Sequence, residues 1–131
     1  MKYIYPAIFH LEKEGGFSIF FPDIEGCFSQ GDTLSEALEM ATDALNLMLW
    51  ELEEEKAVIP KPSLPNTIKT KDKNDFITII SADTIEYRKK YDKKAVKKTV
   101  SVPRWLNIMA IEKNIDFSDL LQKALIKELK I

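Results

Sequence analysis

The residues of this chain best suited to bind nucleic acid lie in the segment KKTVSV, residues 97–102. Its alternation is that of a β-strand, with Lys97, Thr99 and Ser101 on one face and two valines on the other. Lysine neutralises phosphate, and threonine or serine hydroxyl groups can donate to or accept from base edges. The segment therefore predicts a strand whose polar face either meets base edges in DNA or simply faces solvent, with Lys98 adding electrostatic attraction.

A lone strand of this kind cannot satisfy its backbone hydrogen bonds. We expect it to pair with the same strand of a second copy, which would form a two-stranded ribbon that fits the major groove of DNA. The segment thus predicts a homodimer through the C-terminal part of the chain, or a larger assembly such as a tetramer.

Two helices are predicted after this strand. Pro103 ends the strand and a helix over 104–113 follows, with Arg104 as a further electrostatic contact to DNA. This helix is predicted to bury Trp105, Leu106, Ile108 and Met109. Asn114 would end it in a left-handed conformation.

The last helix is predicted to begin after Asp116, whose carboxylate would cap it. Its apolar stripe consists of Phe117, Leu120, Leu121, Ala124, Leu125 and Leu129. The backbone amides of Phe117 and Ser118 would be free at the helix N-terminus, which predicts an anchor for a DNA phosphate.

The remaining polar residues give little support for catalysis. Metal-dependent cleavage of nucleic acid needs several carboxylates that converge on the metal ions, yet residues 2–11 contain no Asp or Glu. The carboxylates that follow the fourth predicted strand or lie on the long helix do not replace the missing one. They are Asp83, Glu36, Glu39 and Asp43. His10 and Cys27 lie on predicted strands separated by a third, so they are not expected to form a base–nucleophile pair. The sequence predicts a binding protein rather than an enzyme, with no metal and no cofactor.

Charge divides the chain into two halves. Residues 1–66 hold four Lys against 12 Asp and Glu, a formal charge of −8, whereas residues 67–131 hold 15 Lys and Arg against nine Asp and Glu, a charge of +6. A basic tail attracts phosphate and an acidic front attracts a basic protein, so the split predicts two partners. For the front half, a chance distribution over solvated faces explains the charge equally well.

The composition is that of a globular protein of the cytoplasm. A single cysteine, Cys27, allows no disulfide within the chain, which suits a reducing compartment. No apolar run approaches the roughly 20 residues that cross a bilayer, and the N-terminus lacks the regions of a signal peptide. We therefore expect a cytoplasmic location and no membrane partner.

The front half predicts three strands, a long helix and a fourth strand. The strands are predicted over 2–11, 17–21, 27–30 and 76–82, the last of them beside the first. Thr33 would cap the long helix, and the proline-rich residues 59–66 would cross over without helix. Asp83 would cap a short polar connector helix. The predicted fold class is α+β, with βββαβ in front and a strand with two helices behind.

The long helix carries more apolar surface than one sheet needs. Its predicted stripe for the sheet is Leu34, Ala37, Leu38, Ala41, Ala44, Leu45, Met48 and Leu52. Met40, Leu47 and Trp50 widen this surface and are either further core or a second contact face. The acidic residues 51–55 have the unfavourable sign for a helix C-terminus, which predicts that they meet a cation from elsewhere or are simply solvated.

Residues 97–131 resemble the ribbon-helix-helix family of DNA-binding proteins. The shared pattern is an alternating strand, a proline, a helix, a polar turn, a capping residue and a Leu-Leu helix. The resemblance implies that Lys97, Thr99 and Ser101 read bases, while the amides of Phe117 and Ser118 hold backbone phosphate. The chain departs from many members in having small Thr and Ser where they have Arg, Asn or Gln.

The front half is similar to the HicB family of antitoxins, through its Tyr-Pro opening, the run FPDIEGCFSQGDT and the Glu-Ala-Leu helix start. The similarity implies a partial RNase H-like or double-stranded-RNA-binding-like domain over 1–83, a connector over 84–96 and a ribbon-helix-helix domain over 97–131. It also implies a small, basic, RNA-cleaving HicA-type toxin as partner of the front, and operator DNA as partner of the back. Candidate contacts for the toxin are Asp23, Glu25, Glu53, Glu54 and Glu55.

Two other functions stay open on the sequence alone. One is a stand-alone ribbon-helix-helix regulator whose front domain senses a ligand or oligomerises. The other is a metal-dependent nuclease, which would lose magnesium-dependent RNA cleavage on changing Asp83 or Glu36. A short, basic, His-containing reading frame beside the gene would favour the antitoxin over the stand-alone regulator.

Overall fold

The computed structural model describes all 131 residues, Met1–Ile131, as two compact units, Met1–Lys94 and Ala95–Ile131. The first unit contains β1 (Lys2–Leu11), β2 (Phe17–Phe20), β3 (Phe28–Gly31), α1 (Leu34–Glu54), a 3₁₀ turn (Pro65–Thr67), β4 (Asp75–Asp83) and α2 (Thr84–Tyr91). The second unit contains α3 (Arg104–Glu112) and α4 (Phe117–Leu129). The predicted mixture of helices and antiparallel strands is confirmed, and no helix has the length and apolar character needed to cross a membrane.

The strands form one antiparallel sheet in the order β3-β2-β1-β4. β1 pairs with β4 from Lys2 to His10 but with β2 only from Ile8 to Leu11. The predicted place of the fourth strand beside the first is therefore confirmed. Pro6 lies outside the stretch paired with β2, where β1 is locally an edge, and this is the position that a strand proline tolerates.

The core lies between α1 and one face of the sheet. The strands contribute the buried residues Tyr5, Ala7, Phe9, Ile19, Ile80 and Ala82, and α1 contributes Ala37, Ala41, Leu45 and Leu49. The two alanines let the helix approach the sheet closely. A Cβ added to Gly31 would lie 2.5 Å from the Ala37 nitrogen. Gly31 thus sets the distance between β3 and α1.

The buried stripe of α1 differs in part from the predicted one. Burial recurs at every fourth residue, so Leu49 is core, whereas Leu34 and Leu38 are exposed. Met40 and Leu47 are also exposed, at 42% and 53%. These two residues are therefore surface rather than further core.

The outer face of the sheet, opposite α1, is apolar. Phe28 pairs with Phe20, Phe20 with Ile8, and Ile8 with Ile77, so one apolar row crosses all four strands. Phe28 is 70% exposed and Phe20 is 50% exposed. β1 has apolar residues on both faces, and α1 covers the face that carries Tyr5, Ala7 and Phe9.

The crossing between α1 and β4 is an ordered part of the first unit. The Tyr5 hydroxyl donates to the Pro60 carbonyl, and the Asp23 carboxylate accepts from the Ser63 amide at 2.8 Å and from its hydroxyl at 2.5 Å. The prediction of no helix over 59–66 is wrong at its end, where the 3₁₀ turn begins at Pro65. Proline fits a first helical turn because its missing N–H would have no acceptor there.

α2 packs on α1 rather than serving only as a connector. Asp83 caps it as predicted, accepting from the amides of Ile85 and Glu86. The Tyr87 ring lies edge-on to the Trp50 ring, with centroids 5.8 Å apart. This mostly polar helix packs on α1 because a few long side chains supply the contacts. The average hydrophobicity of its sequence does not reveal such contacts.

The second unit is two helices without a core of their own. Neither α3 nor α4 has a buried residue, and Trp105 is 63% exposed. The predicted burial of Trp105, Leu106, Ile108 and Met109 is therefore wrong for the single chain. Two short helices cannot cover each other's apolar faces, so that burial needs a further layer.

The end of α3 and the start of α4 lie where the sequence predicted them. Asn114 has a left-handed φ of 55° after α3, as predicted, and the Asp116 carboxylate accepts from the Asp119 amide at 3.0 Å. Residues 92–103 form neither helix nor strand in the single chain. The strand expected over 97–102 requires a second copy and stays a prediction.

Candidate functional sites

The predicted DNA-binding residues all lie on the surface of the second unit. Lys97, Lys98, Thr99 and Ser101 belong to the extended stretch before α3, and Arg104 is the first residue of that helix. The unit holds seven Lys and Arg against four Asp and Glu, a formal charge of +3. Its exposed basic stretch has the charge that attracts phosphate.

The N-terminus of α4 offers two backbone amides. Asp116 satisfies the amides of Asp119 and Leu120, each at 3.0 Å, through its side chain and its carbonyl. No acceptor within the chain bonds the amides of Phe117 and Ser118, since they belong to the first turn. Such amides favour an anion, and their predicted contact with DNA phosphate stays a prediction.

The acidic candidates of the first unit fall into two groups. Glu25 and Glu55 are exposed and bond to no other side chain of the unit. Asp23 is engaged with the crossing segment through Ser63. Only the exposed carboxylates are fully available to a basic partner.

Glu53 and Glu54 bind a cation within the chain, Arg88 of α2. Arg88 lies 3.1 Å from Glu53 Oε1 and 2.5 Å from Glu54 Oε1. The guanidinium also lies over the Trp50 ring, 5.6 Å from its centroid. The acidic end of α1 is thus paired with a cation. This was one of the two alternatives that its unfavourable helix dipole suggested, the other being simple solvation.

Glu53 is the most connected of these carboxylates. Its Oε2 accepts from the Tyr3 hydroxyl at 2.6 Å and from the Thr84 hydroxyl at 2.9 Å, in addition to Arg88. Its side chain is only 16% exposed. Glu53 therefore joins β1, α1 and α2, and little of its charge faces a partner.

These contacts shift the pKa values of Glu53 and Tyr3 in opposite directions. Burial acts to raise the pKa of Glu53, but hydrogen bonds from Tyr3, Thr84 and Arg88 outweigh it and hold the pKa below its ordinary value. For Tyr3, burial and the hydrogen bond to Glu53 raise the pKa to about 12. Glu53 is therefore an ionised acceptor and Tyr3 a neutral donor at neutral pH.

The candidate catalytic residues are not brought together. His10 Nδ1 lies 2.5 Å from Asp75 Oδ1, an ion pair when the imidazole is protonated. Cys27 is buried, and burial raises its pKa to about 11. No group of three or more His, Cys, Asp and Glu side chains is arranged to hold a metal ion.

Comparison with known proteins identifies this combination of units. Residues 5–125, nearly the whole chain, match the model of the family described as "HicB_like antitoxin of bacterial toxin-antitoxin system". The chain belongs to this antitoxin family. The resemblance recognised in the sequence of the front half is confirmed, and it extends through most of the second unit.

The antitoxin has relatives of known name. It is 45% identical over 58 residues to Antitoxin HicB 1 of Photorhabdus laumondii, a segment that covers 44% of this chain and 37% of that protein. It is 38% identical over 63 residues to Antitoxin HicB of Escherichia coli K12, which covers 48% of this chain and 46% of that one. The aligned segment thus spans less than half of either relative.

The antitoxin also resembles solved structures. A chain of a toxin–antitoxin complex from Streptococcus pneumoniae is 26% identical, with a TM-score of 0.64, over 98% of this chain and 99% of that chain. A chain of a HicA3 and HicB3 toxin–antitoxin complex is 27% identical, with a TM-score of 0.52, over 62% of this chain and 99% of that chain. The first of these similarities includes both units.

The antitoxin carries a groove that its sequence did not predict. The groove, about 1110 Å³ in volume, lies in the first unit between the start of β1, the end of β4, α1 and α2. Its acidic lining residues are Glu39, Asp43, Asp83 and Glu86, and its larger apolar and aromatic ones are Tyr3, Ile4, Leu38, Met40, Tyr87 and Tyr91. One sequence signal was present, since Glu39, Asp43 and Asn46 are spaced by four and three residues along α1 and share a face.

Proposed function

We propose that this antitoxin neutralises a small basic HicA-type toxin, an RNA-cleaving enzyme, by covering it with the first unit. We also propose that it represses its own operon by binding operator DNA through the second unit. We further propose that it acts in the cytoplasm.

The observation that carries the proposal is the similarity, over 98% of this chain, to a chain of a solved toxin–antitoxin complex. A match confined to the first unit would leave the second without an assigned role. Here the same relative includes both units, in keeping with two activities on one chain.

The charges of the two units support separate roles, with toxin binding by the first unit and DNA binding by the second. The first unit holds 12 Lys and Arg against 17 Asp and Glu, a formal charge of −5, while the second unit carries +3. An acidic surface attracts a basic toxin and repels nucleic acid, so it would also deter RNA from reaching the covered toxin. Glu25 and Glu55 are the best placed of the proposed toxin contacts because they are exposed and unpaired.

Occlusion requires no chemistry from the antitoxin. A binding surface that covers the reactive groups of the toxin excludes its RNA substrate, and affinity alone sets the degree of inhibition. If the first unit has the RNase H-like fold that the family resemblance implies, the absence of Asp and Glu from β1 supports a non-enzymatic role.

DNA binding requires a second copy of the chain. In the single chain, α3 and α4 expose their apolar faces and the stretch before them is unpaired. Pairing of 97–102 between two copies would form a ribbon with Lys97, Thr99 and Ser101 on one face, and the helices of both copies would bury their apolar residues together. Dimerisation and DNA binding are then one event.

Co-expression with the adjacent basic reading frame tests the antitoxin role. We expect the toxin alone to arrest growth and the full antitoxin to restore it, with a complex recovered on purification. Operator binding without any such complex or rescue would contradict neutralisation and support the stand-alone regulator.

A further inference from the structure

We propose that the groove of the first unit, lined by α1, α2 and the ends of β1 and β4, receives an arginine side chain of the toxin. The inference rests on the proposed neutralisation and adds to it a specific site and a specific chemical group. Four features of the groove support it.

The first feature is a buried acceptor without a donor. Asn46 is only 6% exposed, and its Oδ1 has no hydrogen-bond partner. Its Nδ2 donates to the Thr42 carbonyl at 3.0 Å, which fixes the orientation of the amide because the reversed amide would place oxygen against oxygen. A buried carbonyl without a donor destabilises the free chain, and a donor supplied from the groove removes that cost.

The second feature is a row of acceptors on the same face of α1. Glu39 bonds to no other side chain, and Asp43 accepts one hydrogen bond, at 3.0 Å, from the Tyr87 hydroxyl. A carboxylate can accept about four hydrogen bonds, so Asp43 retains capacity. With Asn46, these residues present acceptors over two helical turns.

The third feature is the charge of the lining. Of the four carboxylates, Asp83 lies 4.0 Å from the N-terminal ammonium group and Glu86 lies 2.9 Å from Lys89 Nζ, whereas Glu39 and Asp43 are in no ion pair. Lys90 Nζ lies 5.3 Å from the centre of the Tyr91 ring. The groove therefore offers a cation two carboxylates, both on α1, that no ion pair engages.

The fourth feature is the aromatic and apolar lining beside these acceptors. The rings of Tyr87 and Tyr91 lie with centroids 4.6 Å apart, and Leu38 and Met40 are 37% and 42% exposed. Such surfaces cover the methylene groups of a long side chain and stack on a planar guanidinium. Arginine fits better than lysine because its five N–H groups reach several acceptors at once.

Two charge variants of the full antitoxin test the site against its purified toxin. Glu39→Gln and Asp43→Asn each remove one charge from the groove, and Glu51→Gln removes one from an exposed part of α1 outside it. We expect the Kd for the toxin to rise about tenfold in each groove variant and to change little in the control. Equal effects in all three would overturn the groove, whereas failure of the wild type to bind would overturn the proposed neutralisation itself.

Asn46→Leu separates a binding role from a structural one. Leucine removes the unpaired acceptor with little change in volume, so the free antitoxin should be as stable as the wild type or more so in urea unfolding. The Kd for the toxin should nevertheless rise. Wild-type affinity in this variant would overturn the proposed role of Asn46. In a second test, each arginine of the toxin is replaced singly by lysine. Wild-type affinity in every one of these toxin variants would overturn the proposed arginine.

Discussion

At the scale of single residues, Glu53 holds the first unit together more than any other carboxylate. Three donors from two elements converge on it, namely Tyr3 of β1 and Thr84 and Arg88 of α2. Its sequence position, in an acidic run at a helix end, indicated a surface charge for a partner. The structure shows that long-range contacts use this charge within the fold.

Glu53→Gln should destabilise the antitoxin by about 2 kcal/mol, because it removes charge from three hydrogen bonds of a mostly buried acceptor. Urea unfolding at neutral pH measures the loss. Glu51→Gln, a change at an exposed residue of the same helix, is the matched control and should stay within about 0.5 kcal/mol of the wild type. Equal stability of the two variants would contradict the role assigned to Glu53.

The same carboxylate predicts a dependence on acid. Because its folded pKa is lowered, its contribution is present above the unfolded pKa of about 4.3 and is lost as the pH falls through the folded value. The stability difference between the wild type and Glu53→Gln should therefore shrink on acidification.

His10 should show the opposite dependence. The hydrogen bond to Asp75 raises the pKa of His10, aided by Glu12 and Asp72 and opposed by slight burial. A raised pKa stabilises the fold below the unfolded value of about 6.5, and this contribution is lost as the pH rises through the folded value. The Tm of His10→Gln should thus fall furthest below that of the wild type near pH 5.5, and the gap should narrow near pH 9. A constant gap would show that the imidazole charge has no part in it.

At the scale of elements, the contact between β3 and α1 has the least room for change. The Cβ of any residue at position 31 would meet backbone atoms of the Glu36–Ala37 turn rather than a flexible side chain. Neither element can therefore yield without moving the other. The same region contains the N-terminal cap of α1, where the Thr33 hydroxyl accepts from the Glu36 amide at 3.1 Å.

Gly31→Ala should destabilise the first unit by about 3 kcal/mol, because the added methyl group collides with the backbone. Thermal or urea unfolding of the variant measures this. Gln30→Ala, a change at the neighbouring residue on the same strand, should have a small effect. A stable Gly31→Ala variant would mean that α1 can shift away from the sheet.

At the scale of the whole molecule, the two units differ in what completes them. The first has its own core between α1 and the sheet, while the second exposes its apolar helix faces. If the second unit is the proposed DNA-binding dimer, the lysines before α3 should affect DNA and leave the toxin site unchanged.

Substitution of Lys97 and Lys98 together with alanine should weaken binding to all DNA sequences. The slope of log affinity against log salt should fall by about one unit for each lysine that neutralises a phosphate in the wild type. Substitution of Lys93 and Lys94 with alanine changes the net charge equally and is the matched control. The Kd for the toxin should be unaffected, and operator affinity equal to that of the control would contradict the proposed strand face.

Thr99→Ala and Ser101→Ala should act differently from the lysine variants. Each should relax sequence preference by about 1–3 kcal/mol, because it removes a hydroxyl group that bonds to a base edge, while binding to unrelated DNA stays the same. Competition between the operator and a scrambled duplex measures this preference. Uniform weakening on both duplexes would place these hydroxyl groups on phosphate instead.

The sequence by itself determined the helices of this antitoxin, the four strands of its first unit and its charge division, because these depend on local information. Periodicity found all four strands of the first unit, and local capping chemistry placed the starts of α1, α2 and α4. The Tyr-Pro opening, the run FPDIEGCFSQGDT and the Glu-Ala-Leu helix start of the front half were enough to indicate the family. Strand ends were less certain: β3 begins at Phe28 and ends at Gly31, one residue later than predicted at each end.

Only the tertiary structure decided which residues serve the fold and which remain available. The pairing of Glu53 with Arg88, the unsatisfied Asn46 and the exposed row on the outer sheet face all depend on residues distant in sequence. A side chain's neighbours across elements set its burial and its free hydrogen-bonding capacity, and no local pattern encodes them. The groove therefore became visible only once α1, α2 and the sheet were assembled.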